Sequence, residues 1–168
     1  MSPVNTPPTA ARKDPTAAET TPRRPAPHHA DDAPTVTVFV PGRPAAQGSK
    51  RHIGGGRLIE QSKAVAPWRK AVARVLADAM PEPLDGPTAI QADFVMPRPK
   101  STPKTKPTPA AVKRPDLDKM LRAILDAGTG IAWRDDSQVV VIAATKRIAE
   151  LDELPGVTLT ITTTEETQ

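Results

Sequence analysis

Four aspartates stand in two short groups in the second half of the chain, as Asp116-Leu117-Asp118 and as Asp135-Asp136. Carboxylates are hard oxygen ligands, and proteins hold Mg²⁺ with a few of them while water and substrate phosphate complete the octahedron. The first group also brings two like charges together, at a cost that a bound cation would remove. Both groups therefore predict a divalent-metal site, provided that the fold brings them together.

Each group also has a purely structural interpretation. Asp118 stands near the start of a predicted helix, where a carboxylate caps free backbone N–H groups. Asp135-Asp136-Ser137 is typical of a turn, and for this group alone the turn is the favoured interpretation. The combination favours chemistry, because D-x-D at a helix start is followed by a short helix, a glycine-containing turn and D-D before a strand.

The composition excludes several other kinds of site. The chain has no cysteine, and therefore no disulfide, thiolate nucleophile or cysteine-ligated zinc. Its histidines are His28, His29 and His52, which argues against a histidine-based triad or zinc site. A calcium-binding or purely structural acidic site is disfavoured, since the chain lacks a D-x-D-x-D-G loop with glutamate at its twelfth position.

The charge is polarised along the chain. The net charge is +4 with a sequence pI near 9.6. Residues 43 to 74 hold eight basic side chains against one acid, residues 98 to 122 are also rich in Lys and Arg, and the chain after Arg147 is acidic. This pattern predicts one face for a polyanion, with a solvated surface as the alternative. No apolar run reaches the roughly 20 residues of a membrane span, and no hydrophobic signal core is present, so we expect a cytoplasmic protein.

The elements that must position the aspartates follow from the hydrophobic pattern. Residues 1 to 34 are rich in Pro, Thr and Ala and are predicted to be disordered. A strand over 35 to 40 is followed by a basic hairpin around Gly54-Gly55-Gly56. The glycine triplet could instead form a phosphate-binding loop, but it lacks the Walker spacing, so we favour a mobile hairpin. Apolar residues at helical spacing predict a helix between Ser62 and Met80, regular from Pro67, in which Trp68 is interpreted as core although it could stack on a base.

The second half of the chain is predicted to continue with a strand over 88 to 96 and a basic, Pro-rich loop over 98 to 114. The helix that begins at Asp116-Leu117-Asp118 should end near Gly128. Gln138 to Ala143 is a continuous apolar run that predicts a buried central strand, and 157 to 163 predicts the last strand. The fold class is therefore α/β (α+β): one compact domain over 35 to 163, with a mixed sheet, two main helices mainly on one face, and a short tail over 164 to 168.

One known family is similar in this region. The hallmark motif of the RusA family of Holliday-junction resolvases closely resembles Lys113-Arg114-Pro115-Asp116-Leu117-Asp118-Lys119, Leu125-Asp126-Ala127 and Trp133-Arg134-Asp135-Asp136-Ser137-Gln138-Val139. The likeness extends to Val40-Pro41-Gly42, to the helix with Trp68 and to Lys146, and so covers roughly residues 35 to 163.

The resemblance implies that Asp116, Asp118 and Asp136 are the catalytic acids, with Asp135 a weaker candidate metal ligand. Arg122 stands where the family has a lysine, a departure that keeps the charge but not the compact ammonium group. The implied cofactor is Mg²⁺, with Mn²⁺ as a substitute, and no small-molecule cofactor is expected. The implied activity is hydrolysis of four-way and other branched DNA in recombination and repair. Because a four-way junction is two-fold symmetric, paired cuts call for a C2 homodimer.

Several basic side chains of the chain are candidates for DNA contact. They are Lys50, Arg51, Arg57, Arg69, Lys113, Arg114, Lys119 and Lys146. Lys146 could contact phosphate from its strand, and a neutral structural role is an equal alternative. A different class of function also stays open at this point, a non-catalytic nucleic-acid-binding module whose aspartates are only caps and turns.

Overall fold

The computed structural model describes residues 34–48, 50–52, 58–60 and 63–164. The strands are β1 (Thr35–Pro41), β2 (Lys50–His52), β3 (Leu58–Glu60), β4 (Thr88–Met96), β5 (Val139–Ile148) and β6 (Gly156–Thr163). The α-helices are α1 (Val65–Ala79) and α2 (Leu117–Gly128), and a 3-10 helix (Asp136–Gln138) precedes β5. Strand β2 pairs with β3 as a small antiparallel hairpin, as expected, while Gly54 to Gly56 lie outside the described residues.

The main sheet is mixed, which confirms the predicted fold class. Its strand order is β1-β6-β4-β5. Strand β6 pairs antiparallel with β1 and β4, whereas β5 pairs parallel with β4. A parallel pair needs a long crossover connection, and the segment containing α2 supplies it. The order of the strands in the sheet could not be derived from the sequence.

Both helices cover one face of the sheet. Alternate residues of β4 and β6, among them Ile90, Phe94 and Leu159, are buried there in a single core. Helix α1 adds Trp68, Val72 and Leu76, four residues apart and buried, so Trp68 is a core residue. The helix begins at Val65, two residues before the predicted start. Pro67 falls in its first turn, where backbone N–H groups make no hydrogen bond within the helix, so the N–H that proline lacks is not missed.

The opposite face of the sheet is polar and rich in threonine. Thr35 pairs with Thr162 and Thr37 with Thr160, and the hydroxyl oxygens of each pair are 3.2 Å apart. A sheet with one buried and one solvated face explains the alternation of polar and apolar residues in β1 and β6.

The prediction of a buried central strand after Gln138 is wrong. The run forms β5, but β5 lies at the edge of the sheet, paired only with β4 among the described strands. Its side chains Val140, Val141 and Ile142 are 60%, 52% and 45% exposed. A continuous apolar run usually indicates a strand that is buried on both faces. In this chain the run instead forms an edge strand that the described residues leave uncovered.

Helix α2 ends at Gly128, as predicted, for a reason of packing. A Cβ atom at this position would lie 2.3 Å from Cζ2 of Trp133, which is fully buried. The glycine therefore allows the close approach of the Trp133 ring to the helix end.

The predicted tails fall largely outside the described residues, namely 1–33 and 165–168. Pro34 belongs to the sheet, since its carbonyl oxygen accepts a hydrogen bond from the Thr163 N–H at 3.4 Å. The loop over 98 to 114 has its own internal contacts: the guanidinium of Arg98 donates to the Thr108 hydroxyl and to the carbonyls of Pro103 and Lys106. Among the residues that the structure describes, no helix is long and apolar enough to cross a membrane.

Candidate metal and DNA-binding site

Asp116 and Asp118 lie together at the start of α2. Asp116 is the N-cap residue, in extended backbone conformation, but its side chain makes no capping hydrogen bond. Instead its Oδ2 accepts a hydrogen bond from Nζ of Lys119 at 2.8 Å. Asp118 stands in the first turn and is exposed. The structural interpretation of Asp118 as a helix-start residue agrees with its place in the first turn, whereas Asp116 occupies the N-cap position without a capping hydrogen bond from its side chain.

The surroundings of Asp116 favour its ionised form. The hydrogen bond from Lys119 and its charge lower the pKa of Asp116, and the charges of Arg114 and Lys146 act in the same direction. Asp116 in turn raises the pKa of Lys119. A carboxylate must be deprotonated to bind a cation, so the local charges keep Asp116 in the form that a metal ion requires.

Lys146 joins the sheet to the segment before α2. Its Nζ donates hydrogen bonds to the carbonyl oxygens of Pro115 at 2.8 Å and Lys113 at 3.0 Å. Pro115 immediately precedes Asp116, and Lys113 stands three residues before it. These contacts support the structural alternative for Lys146, because they fix the backbone that carries the first acid.

A basic cavity of about 590 Å³ lies next to this segment. Lys113, Arg114 and Pro115 line it together with Arg43, Arg98 and Lys100. The sequence prediction of DNA-binding residues did not name Arg43, Arg98 or Lys100 individually, although all three belong to the two basic stretches. The segment after β1, which carries Arg43, is joined to α2 by a hydrogen bond from the Gln47 N–H to the Lys119 carbonyl, 2.9 Å long.

Arg122 lies on α2 four residues after Asp118, and both side chains are exposed. Residues four apart on a helix lie on the same face. The sequence-predicted cation is therefore on the side of α2 that also presents Asp118.

Asp135 has a structural role. Its carboxylate accepts a hydrogen bond from the Ser137 N–H at 2.9 Å and so caps the 3-10 helix, while Gln138 Oε1 accepts from the Asp135 N–H at 3.1 Å. The Ser137 hydroxyl and N–H lower the pKa of Asp135. The turn interpretation thus accounts for Asp135. It does not account for Asp136, whose side chain is exposed in the 3-10 helix.

One chain does not bring Asp136 to the other two acids. Asp136 precedes the first residue of β5, whereas Lys146, near the end of β5, contacts Pro115 beside Asp116. The seven-residue step from Val139 to Lys146 spans about 23 Å of strand, so Asp116 and Asp136 are on the order of 20 Å apart. Among the described residues, no three His, Asp or Glu side chains are grouped so that they could hold a metal ion.

The remaining candidate cations are spread over the molecule. Arg69 of α1 forms an ion pair with Asp126 near the other end of α2, with Nη1 and Oδ2 3.4 Å apart. Lys50 and Arg51 are in β2, and only their backbone is described. Arg57 lies outside the described residues.

Comparisons with known proteins cover this whole region. The family model described as "Endodeoxyribonuclease RusA" matches residues 41–162. The chain is also 30% identical over 126 residues to the "Uncharacterized protein YqaN" of Bacillus subtilis (strain 168), a match that spans 68% of this chain and 89% of that protein. The family match contains the acids of α2, the 3-10 helix and Lys146.

Proposed function

Because the chain belongs to the RusA family of endodeoxyribonucleases, we propose that it is a magnesium-dependent nuclease that acts as a homodimer and resolves four-way DNA junctions in recombination and repair. Membership of the family implies a Holliday-junction-resolving endonuclease that acts on branched DNA. Nucleases of this family generally depend on a divalent metal. The finer proposal adds the metal, its ligands and the dimer.

The observation that carries the proposal is the start of α2. Asp116 and Asp118 are exposed there, the N-cap side chain is not used for capping, and cations surround the pair. Two exposed carboxylates beside a basic cavity suit a hard cation that must also meet a phosphate. Mn²⁺, which accepts the same oxygen ligands, is expected to substitute.

Asp116, Asp118 and Asp136 are the proposed metal ligands, and Asp135 is left to its capping role or to a weaker contact. A metal ion held by these residues would supply relief of the negative charge on the phosphate and an activated water molecule for attack. Arg122, on the face of Asp118, and Lys119 hold the scissile phosphate, while Lys113 and Arg114 hold neighbouring phosphates. Lys146 fixes the backbone before Asp116.

The residues of one chain fit this metal site only in part, since Asp136 stands at the far end of β5 from Asp116. A homodimer removes the difficulty if Asp136 of one copy completes the set begun by Asp116 and Asp118 of the other. Two such sites in a C2 dimer also match the two cuts that a four-way junction requires.

The test is a nicking assay on a synthetic four-way junction in magnesium, with three-way and linear duplexes for comparison. Asp116→Asn, Asp118→Asn and Asp136→Asn should each lower the cutting rate by more than about a hundredfold, because loss of an outer-shell partner alone costs up to that much. Binding of the junction in a gel-shift assay should persist.

Asp78→Asn is the matched control, since Asp78 is an exposed acid on α1 whose carboxylate is 4.0 Å from Arg74. It should cut at the wild-type rate. Wild-type cutting by Asp116→Asn would refute the assignment. Junction binding without any cutting by the wild-type protein would favour the alternative of a non-catalytic nucleic-acid-binding module.

A further inference from the structure

The basic cavity next to Pro115 gathers positive charge without a counter-charge. In the described part of the chain, none of its cationic side chains forms an ion pair, and no acidic residue lines the cavity. Like charges held close together cost free energy, and an anionic occupant removes that cost. Phosphate is an anion that clusters of Lys and Arg bind well. The cations are Arg43, Arg98, Lys100, Lys113 and Arg114.

Much of the remaining cavity wall is apolar. It includes Met96, Pro97, Pro99, Pro109, Ala110 and Ile148. The volume of about 590 Å³ lies within the roughly 300–1,000 Å³ of typical small-ligand sites. A sugar-phosphate backbone that runs over a surface needs neither this depth nor apolar walls. A whole nucleotide uses both, because it joins a phosphate to a sugar and to a flat base whose faces pack on apolar side chains.

Arg98 gives the cavity a fixed wall. Its two Nη atoms donate hydrogen bonds within its own loop, to the Thr108 hydroxyl and to the carbonyls of Pro103 and Lys106. The Thr108 hydroxyl donates to the carboxylate of Glu150, which joins the loop to the connection after β5. Nε of Arg98 is buried and has no hydrogen-bond partner among the described residues, and a buried N–H without an acceptor is costly. The wall is therefore formed without a ligand, and Arg98 lacks an acceptor that a ligand oxygen can supply.

We propose that the cavity holds one nucleotide of branched DNA, unstacked from its helix, next to the nucleotide that is cut. The proposal rests on the proposed function for its substrate, and it names the feature of that substrate which the protein recognises. Arg114 and Pro115 of the cavity wall directly precede Asp116 in the chain. An occupant of the cavity therefore lies beside the start of α2, where the neighbouring phosphate is cut.

Such a cavity makes the protein selective for branched DNA. A base leaves a continuous duplex only at the cost of its stacking and pairing, and the cost is least for a base that is already unpaired or mismatched. Stacking is interrupted at a branch point, so a nucleotide there is extruded more easily than one in a linear duplex. The protein then distinguishes the two kinds of DNA through the free energy of extrusion.

The fluorescence of 2-aminopurine, an adenine analogue that becomes brighter when it unstacks, reports the occupant. Four-way junctions carry the analogue at one nucleotide beside the branch point at a time, and a linear duplex carries it in the same sequence. The protein is added at saturating concentration in EDTA, so that binding is complete and no strand is cut. We expect a severalfold rise in fluorescence for at least one position of the junction and no rise for the linear duplex. No rise at any position of the junction overturns the proposal.

Two substitutions in the same loop test whether the cavity causes the rise. Ala110→Glu adds a carboxylate to the cavity wall, where it pairs with the cations and takes the place of the phosphate. Val112→Glu makes the same change of net charge at a side chain that is 86% exposed and is not among the lining residues. At saturating protein, Ala110→Glu should lose the fluorescence rise and Val112→Glu should keep it. A rise that Ala110→Glu retains, or that both variants lose equally, overturns the proposal.

A second matched pair removes a positive charge instead of adding a negative one. Lys100→Gln changes a residue of the cavity wall, and Lys104→Gln changes an exposed residue of the same loop that is not among the lining residues. Both variants should keep the circular-dichroism spectrum of the wild type. Lys100→Gln should reduce the fluorescence rise more than Lys104→Gln does, whereas equal reductions contradict the proposal.

A free nucleotide is the alternative occupant of the cavity. The probes are dAMP and inorganic phosphate, added at micromolar concentration in a thermal-unfolding assay. We expect neither to raise the melting temperature, because a single nucleotide lacks the neighbouring phosphates that the rest of the protein binds in DNA. A higher melting temperature with dAMP, in a protein that gives no fluorescence rise on the junction, would assign the cavity to a free nucleotide and overturn the proposal.

The two proposals fail in different ways. If the fluorescence rise depends on Ala110 but the wild type does not cut junctions in magnesium, the cavity assignment stands and the proposed catalytic function is wrong. If the wild type cuts junctions without any fluorescence rise, the function stands and the cavity assignment is wrong.

Discussion

Lys146 shows how far a residue type predicts a role. Its place on a strand near basic loops allowed a phosphate contact or a neutral structural role. The structure has its Nζ hydrogen-bonded to the carbonyls of Lys113 and Pro115. Neither carbonyl has a signal in the sequence, because the contact joins residues more than thirty positions apart.

Removal of the Lys146 ammonium should therefore destabilise the fold. We expect Lys146→Met to lower the free energy of unfolding by about 2 kcal/mol, since a hydrogen bond from a charged donor contributes about 1.5–3 kcal/mol. Urea denaturation measures the change, and Lys104→Met, in the exposed loop, is the control. A side chain that contacts only phosphate would leave stability unaltered.

The aspartates are the residues for which the sequence made its most specific prediction, and their metal binding stays a prediction. Their type and spacing indicated a metal site, and the hydrogen bonds now separate Asp135, which caps the 3-10 helix, from the exposed Asp136. The sequence could not show that Asp116 and Asp136 stand at opposite ends of β5, because their separation depends on the direction of α2 relative to that strand.

At the scale of elements, the turn after α2 depends on Gly128. Gly128→Ala places a Cβ atom 2.3 Å from the ring of Trp133, so either the ring or the helix end must move. We expect a loss of about 1–3 kcal/mol of stability, the usual cost of overpacking a core. Thermal unfolding measures the loss. The double variant Gly128→Ala/Trp133→Leu should lose less stability than the sum of the losses of the two single variants. Strict additivity would contradict the packing explanation.

The turn between β5 and β6 is held by Arg147 and Glu153. The Arg147 guanidinium and the Glu150 N–H lower the pKa of Glu153 to about 2. Since the folded pKa is lowered, the stabilisation is complete above the unfolded value near 4.5 and is lost as the pH falls toward 2.

Glu153→Gln should therefore lower the melting temperature at pH 7, and its difference from the wild type should shrink between pH 4.5 and pH 2. Glu82→Gln, at an exposed glutamate after α1, serves as the control and should behave as the wild type throughout. A difference that stays constant over this range would contradict the assigned ion pair.

Element boundaries were predictable where hydrophobic periodicity was strong, as for β1, β4, α1 and α2. Strand β5 shows where the method ends. Its apolar run was correctly predicted as a strand, but an uncovered edge and a buried centre have the same apolar pattern. Only the sheet order, which depends on pairings between distant residues, distinguishes them.

At the scale of the whole molecule, the separation of Asp116 and Asp136 leads to a test by mixing. Asp116→Asn and Asp136→Asn should each be inactive, but dimers formed by refolding the two together contain one site with all three acids intact. We expect such mixtures to regain nicking of one strand. Random pairing of equal amounts makes about half of the dimers mixed, which sets the upper limit of the regained activity. Separately refolded and then assayed variants are the control. A mixture without activity would place all three acids of a site in one chain.

The positions of Asp116 and Asp136 at opposite ends of β5 also predict how the cutting rate depends on protein concentration. A solitary copy would carry no complete hydrolytic centre, so cutting would begin with an encounter between two copies. Below the dissociation constant of the pair, the rate would fall with the square of the protein concentration. A cell that keeps few copies would then leave its chromosomes intact, and would gain resolving power steeply as synthesis rises.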